Sequence, residues 1–155
     1  MANLDSDRDA RQFDSIQASF EADRAGFEAV ADEMSEKAAA NPDARAIVWT
    51  WSWVCVVDSG GGEECTEATA EDQRLYESLP NAHRVLYLAK DPGRVYIGFN
   101  LEDPPIIHVM YDAAGGDAGA FAAERGFRSY RVLDDDWVVL GPIEDDAQYR
   151  EQFPD

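Results

Sequence analysis

Apolar residues recur through positions 5–40 at a spacing of seven. Phe13, Phe20, Phe27 and Met34 hold one heptad position, and Ile16 and Val30 hold the other. This pattern predicts one long helix. Ser6 and Asp9 are spaced as a capping box at its start, and Asn41-Pro42 stops it. Asp23 and Lys37 interrupt the second heptad position, so the apolar stripe is narrow. Two uses fit such a stripe: packing on the chain's own sheet, or pairing with a partner protein or a second copy of the chain. At about 1.5 Å per residue the helix would span roughly 50 Å, enough to project beyond a small domain.

The period changes at residues 46–57, AIVWTWSWVCVV, which carry three of the four tryptophans. β-Branched and aromatic residues without Gly or Pro predict a strand. Alternation puts Ile47, Trp49, Trp51, Trp53, Cys55 and Val57 on one face, and both faces are largely apolar, as in a central strand covered on both sides. The tryptophans then form either a floor for the long helix or an aromatic platform for a sugar, a base or a peptide.

Beyond this strand, residues 58–64 read as a glycine-rich acidic loop that carries Cys65 at its end. Thr69 and Asp72 start a short helix that Pro80 stops, with Leu75, Tyr76 and Leu79 facing inward. A strand at 85–89, a turn at Asp91-Pro92-Gly93, a return strand at 94–100, a corner at 101–105 and a third strand at 106–112 follow. A helix at 117–125 ends at Gly126. A last hairpin, 127–133 with 137–140, folds around Asp134-Asp135-Asp136 before a terminal acidic helix. The expected fold is a single α+β domain over residues 1–155. Its sheet is mostly antiparallel, of roughly five to six strands, with the long N-terminal helix and the shorter helices packed on one side.

Composition changes the picture through charge. The chain has 32 acidic and 13 basic residues, a net charge of −19. Direct binding to nucleic acid or to an anionic membrane is excluded by repulsion. Lysine occurs only at Lys37 and Lys90, a bias like that of proteins from salt-accumulating halophiles. The acidic residues are scattered, which fits adaptation to salt better than a surface that mimics DNA. No charged leader with an apolar segment begins the sequence and no apolar run spans a membrane, so a cytoplasmic location with reduced thiols is expected. In an exported chain, a bridge between Cys55 and Cys65 across the glycine loop would be plausible. The two cysteines, separated by nine residues and without a nearby His, are not a zinc signature.

Candidate chemistry is sparse. His108 shares a strand face with Ile106, Met110 and Asp112 and is the best-placed titratable group for acid–base work, although such a His is more often a satisfied polar residue on a solvent-facing strand. His83 reads as surface. Three consecutive aspartates cannot all turn into one cation site, so Asp134 to Asp136 read as a solvated turn. No phosphate loop, nucleophile elbow or dinucleotide fingerprint is present. No catalytic residue, metal ligand or cofactor is assigned. The leading expectation is a non-enzymatic interaction module of inhibitor, immunity, anti-defence or chaperone type. It would bind another protein, one of basic character, through the Phe13/Phe20/Phe27/Met34 seam and its acidic surface. A small-ligand or enzymatic pocket lined by Trp51, Trp53, His108 and Asp112 is the first alternative, and a DNA mimic is the second.

Overall fold

The computed structural model describes residues 4–100, 106–113 and 115–153. The corner predicted at 101–105 therefore lies outside the described residues. The sequence heptads fold as two helices rather than one: α1 (Leu4–Ala22) and α2 (Arg24–Ala40). Asp23 makes the break. Its backbone leaves helical geometry, and its carboxylate accepts the Gly26 N–H at 3.0 Å, capping α2. Because α1 already begins at Leu4, Ser6 is not its cap.

The tryptophan-rich run is likewise two elements. β1 (Ala44–Trp49) and β2 (Trp53–Asp58) form a hairpin, and the chain reverses at Thr50-Trp51-Ser52. Thr50 closes the turn: its N–H donates to the Trp53 carbonyl at 2.8 Å, and its Oγ1 accepts the Trp53 N–H at 3.2 Å. The expected glycine loop is only a tight turn, after which Glu63–Glu67 pairs with β2 as β3. Helix α3 (Ala70–Glu77) starts at the predicted Thr69–Asp72 capping box. Strands β4 (Ala82–Leu88), β5 (Arg94–Phe99) and β6 (Ile107–Asp112) follow as a meander. Then come α4 (Ala118–Arg125), β7 (Tyr130–Asp134), β8 (Trp137–Leu140) and α5 (Asp146–Gln152).

All eight strands form one antiparallel sheet in the order β3-β2-β1-β4-β5-β6-β8-β7. The fold is thus α+β with an antiparallel sheet, but with eight strands instead of five to six, because β3 and the split of β1 from β2 were not visible in the sequence pattern. The helices also cover both faces rather than one. On the first face α1, α2 and α3 enclose Phe13, Phe20, Phe27, Met34, Trp49, Ile97, Val109 and Trp137. On the second, α4, α5 and Phe127 enclose Leu86, Tyr96, Met110, Val138 and Phe153. Strand alternation sorts the residues: Val109 and Met110, adjacent in β6, belong to opposite cores.

Side-chain clamps hold the first helical layer in place. Lys37 of α2 reaches Asp72 of α3 at 2.8 Å and lies 5.1 Å from the Trp49 ring centroid. Asp9 of α1 is buried and takes two hydrogen bonds from Arg128, at 2.9 and 2.7 Å, and one from Ser129 at 2.7 Å. Burial alone would raise this carboxyl, but the Arg128 and Ser129 hydrogen bonds outweigh it and hold Asp9 below the usual carboxylate range.

Candidate functional site

The seam residues Phe13, Phe20, Phe27 and Met34 are all buried against the chain's own sheet. Phe27 meets Phe20, Phe99 and Trp137 at ring-centroid distances of 5.3, 6.0 and 6.0 Å. A partner could reach this seam only by displacing the core, so the seam is not a docking surface in this fold. Its heptad spacing arises because two short helices present the same stripe to one apolar sheet face.

The proposed pocket of Trp51, Trp53, His108 and Asp112 does not assemble either. Trp53 lies on β2 and His108 on β6, with β1, β4 and β5 between them. At about 4.8 Å per strand the separation is roughly 19 Å. Trp51 and Trp53 are exposed at the β1–β2 hairpin, whereas Trp49 is wholly buried, so the three tryptophans do not share one platform. His108 is buried rather than solvent-facing. Its ring stacks on Phe153 with centroids 4.1 Å apart, and its Nε2 has no hydrogen-bond partner among the described residues. Burial, with the nearby Arg84 charge, pushes its pKa down to about 3, so it is a neutral core residue at physiological pH.

Asp112 belongs to a different site. Where β6 ends and β8 begins, the sheet, the N-terminus of α4 and the edge strand β7 enclose a cleft of about 110 Å³. Its apolar lining is Met110, Phe121, Val132 and Val138; its rim carries Asp112, Asp117, Asp134, Asp135 and Asp136. Met110 and Val138 face this side because they are paired neighbours in the β6–β8 ladder, and Val132 is the next residue across on β7. β7 is an edge strand, which leaves Val132 56% exposed and Tyr130 48% exposed.

Arg94 is the only cation among the described residues that line the cleft, and it is already engaged. Its guanidinium lies 3.3 Å from Asp112, 3.5 Å from Asp91 and 4.4 Å from the Phe121 ring centroid. Asp117 caps α4 through the Ala120 N–H at 3.1 Å, and Asp134 pairs with Arg24 of α2. Asp135 and Asp136 are exposed and form no ion pair among the described residues. The predicted solvated turn is therefore also one wall of an apolar-floored cleft.

The α4 wall is held by a buried polar network. Asp91, in the β4–β5 turn, accepts two hydrogen bonds from Arg125 at 3.0 and 2.6 Å and one from the Tyr96 hydroxyl at 2.9 Å. Gln152 of α5 accepts from Arg125 at 2.8 Å. Burial favours a raised carboxyl pKa here, but the Arg125 and Tyr96 hydrogen bonds prevail and keep Asp91 below the usual carboxylate range. Arg125 also lies 4.9 Å from the Phe121 ring centroid, on α4, so Phe121 is flanked by two guanidinium groups.

Fold and cleft together define an α+β protein with an eight-stranded antiparallel sheet between two helical layers and an acidic-rimmed cleft beside one sheet edge. No protein-family model, no curated protein and no solved structure matches the chain. Among the described residues, no helix is long and apolar enough to cross a membrane.

Proposed function

We propose that the chain is a non-enzymatic interaction module that takes a basic side chain of a partner protein into the cleft beside β7. The observation that carries this reading is the combination of an apolar floor and an acidic rim in one small cavity. A Lys or Arg stem would lie on Met110, Val132 and Val138 while its head meets Asp135, Asp136 and Asp117. The volume, about 110 Å³, suits one side chain; sites for drug-sized ligands run to roughly 300–1,000 Å³. The bare edge of β7 offers backbone hydrogen bonds to the segment carrying that side chain. A second copy of the chain is a poor occupant, because two surfaces of the same −19 charge repel.

The test uses fluorescein-labelled decapeptides that each carry one Lys or Arg among apolar residues, titrated by polarisation. The wild type is expected to bind them and to lose affinity between about 0.15 M and 1 M salt, where the screening length shrinks from roughly 8 to 3 Å. The double substitution Asp135→Asn, Asp136→Asn should weaken binding severalfold without altering the fold. Equal affinity of wild type and double variant would refute the cleft as the site.

A further inference from the structure

At the opposite sheet edge, Cys55 of β2 and Cys65 of β3 stand directly across the ladder, joined as a disulfide with their Cα atoms 4.0 Å apart. Glu63 precedes Cys65 by two positions and so shares its face of the strand. A Glu63 carboxylate oxygen lies 3.1 Å from the Cys65 Sγ, and the two sulfurs and this oxygen all lie within 4.8 Å of one another. A disulfide sulfur has no proton to offer a carboxylate, so the oxidised pair gives that oxygen no hydrogen bond. Two thiols give it one, and a cation gives it more.

We propose that the dithiol form of this hairpin is a binding site for a thiophilic divalent cation of the zinc type. Its ligands are Cys55 Sγ, Cys65 Sγ and a Glu63 carboxylate oxygen, and the fourth position is open to solvent. Sulfurs bound to tetrahedral zinc at about 2.3 Å stand roughly 3.8 Å apart. Opposed strand residues have Cβ atoms about 4.5–5.5 Å apart, so side-chain rotation alone brings the two sulfurs to that spacing. The ladder holds both cysteines in register before the cation arrives. Glu63, Glu64 and Glu67 crowd negative charge onto one five-residue strand, which disfavours bare thiolates and favours a cation that neutralises them.

Opening the site takes two electrons from a reductant and two protons: a dithiol supplies both and becomes a disulfide, whereas a phosphine supplies the electron pair and becomes its oxide with the oxygen and both protons drawn from water; the S–S bond breaks and two thiols form. Cation binding then releases the two thiol protons to solvent. Cys65 is exposed and Cys55 half-buried, so the reductant has access. The spacing of the cysteines is not a zinc signature in the sequence. Strand pairing brings Cys55 beside Cys65, and alternation along β3 supplies Glu63 as the third ligand.

The experiment reduces the full chain with a phosphine, removes the reagent without oxygen, and titrates Zn2+ or Cd2+ in excess Mg2+, which occupies unspecific carboxylate sites. The readouts are bound metal per chain, the sulfur-to-cadmium absorption band, and the fluorescence of Trp53, two residues from Cys55 on the same strand face. One equivalent is expected on the reduced chain and none on the oxidised chain or on reduced Cys65→Ser. Glu63→Gln should weaken binding by about tenfold or more. The proposal is overturned if the reduced chain binds no more metal than the oxidised one, or if Cys65→Ser keeps the full equivalent. If reduction unfolds the chain by circular dichroism, restoration of the fold by Zn2+ supports the site, and failure of Zn2+ to restore it overturns the site.

Discussion

Replacing Arg125 with Ala removes the group that keeps Asp91 ionised inside the protein and holds the α4 wall over the cleft. The Asp91 side chain is fully buried, and Arg125 is 23% exposed. The substitution deletes two charge-assisted hydrogen bonds, at 3.0 and 2.6 Å, and leaves Asp91 with the Tyr96 hydroxyl, the Gln152 amide N–H at 3.5 Å and the Arg94 guanidinium at 3.5 Å. Breaking a buried pair from one side costs about 3–5 kcal/mol. Because Arg125 is partly wet and Arg94 remains near, the low end applies, about 3 kcal/mol. In a domain of this size each kcal/mol moves Tm by about 2–4 °C, so a fall of roughly 6–12 °C is expected. Urea melts followed by circular dichroism at pH 7 and constant salt would measure it. Adding Asp91→Asn to Arg125→Ala should recover part of the loss, since the orphaned charge is gone. The pH dependence follows from the lowered carboxyl of Asp91. Its contribution is complete above the unfolded value of about 3.9 and is lost as pH falls through the lower folded value. Arg125→Ala should flatten that acid limb. A variant within about 1 kcal/mol of wild type, with the limb unchanged, would show that Asp91 does not depend on Arg125.

Two further outcomes follow from the cores. Phe20→Glu should unfold the chain rather than merely abolish an interaction, because it buries a carboxylate between Phe27 and Trp137, whose ring centroids both lie 5.3 Å from that of Phe20; a folded variant by circular dichroism would contradict the burial of the seam. His108, with its pKa pushed down to about 3, binds a proton in the unfolded chain but not in the folded one between that value and 6.5. Stability should therefore fall by up to about 1.4 kcal/mol for each pH unit below 6. His108→Phe should remove this slope, and urea melts at pH 7, 6 and 5 with parallel wild-type and variant curves would count against it.

What was legible in the sequence was local. The Thr69–Asp72 box, the Asp91-Pro92-Gly93 turn and the Gly126 cap, with φ of 83°, each act through a few neighbouring residues, and each stands where its residue types place it. Asp23 was visible only as a flaw in a heptad, although Asp three residues before Gly26 is also the spacing of a helix cap. The Thr50-Trp51-Ser52 reversal carries no Gly or Pro, and its strand-forming residues hide it. β3 has all five side chains exposed, so no apolar period could announce it. The cleft lining runs from Arg94 to Val138, and only the β6–β8–β7 pairing brings these residues together.

The distribution of charge connects these findings. Of the 13 basic residues, four whose side chains are largely buried pair with carboxylates more buried still: Arg128 with Asp9, Arg125 with Asp91, Lys37 with Asp72 and Arg94 with Asp112. The first ties α1 to the chain before β7, the second α4 to the β4–β5 turn, the third α2 to α3 and the fourth β5 to β6, and burial shields each pair from salt. Cations spent in this way cannot offset the carboxylates that remain outside, so the −19 charge is concentrated at the surface, with Asp135 and Asp136 on the cleft rim and Glu63, Glu64 and Glu67 on the opposite edge strand. The same allocation protects the β3 edge from pairing with another copy, since an edge lined with like charge repels its own image. A binding partner that overcomes this repulsion must bring positive charge, and under the proposed function the cleft is where that charge would meet an apolar floor.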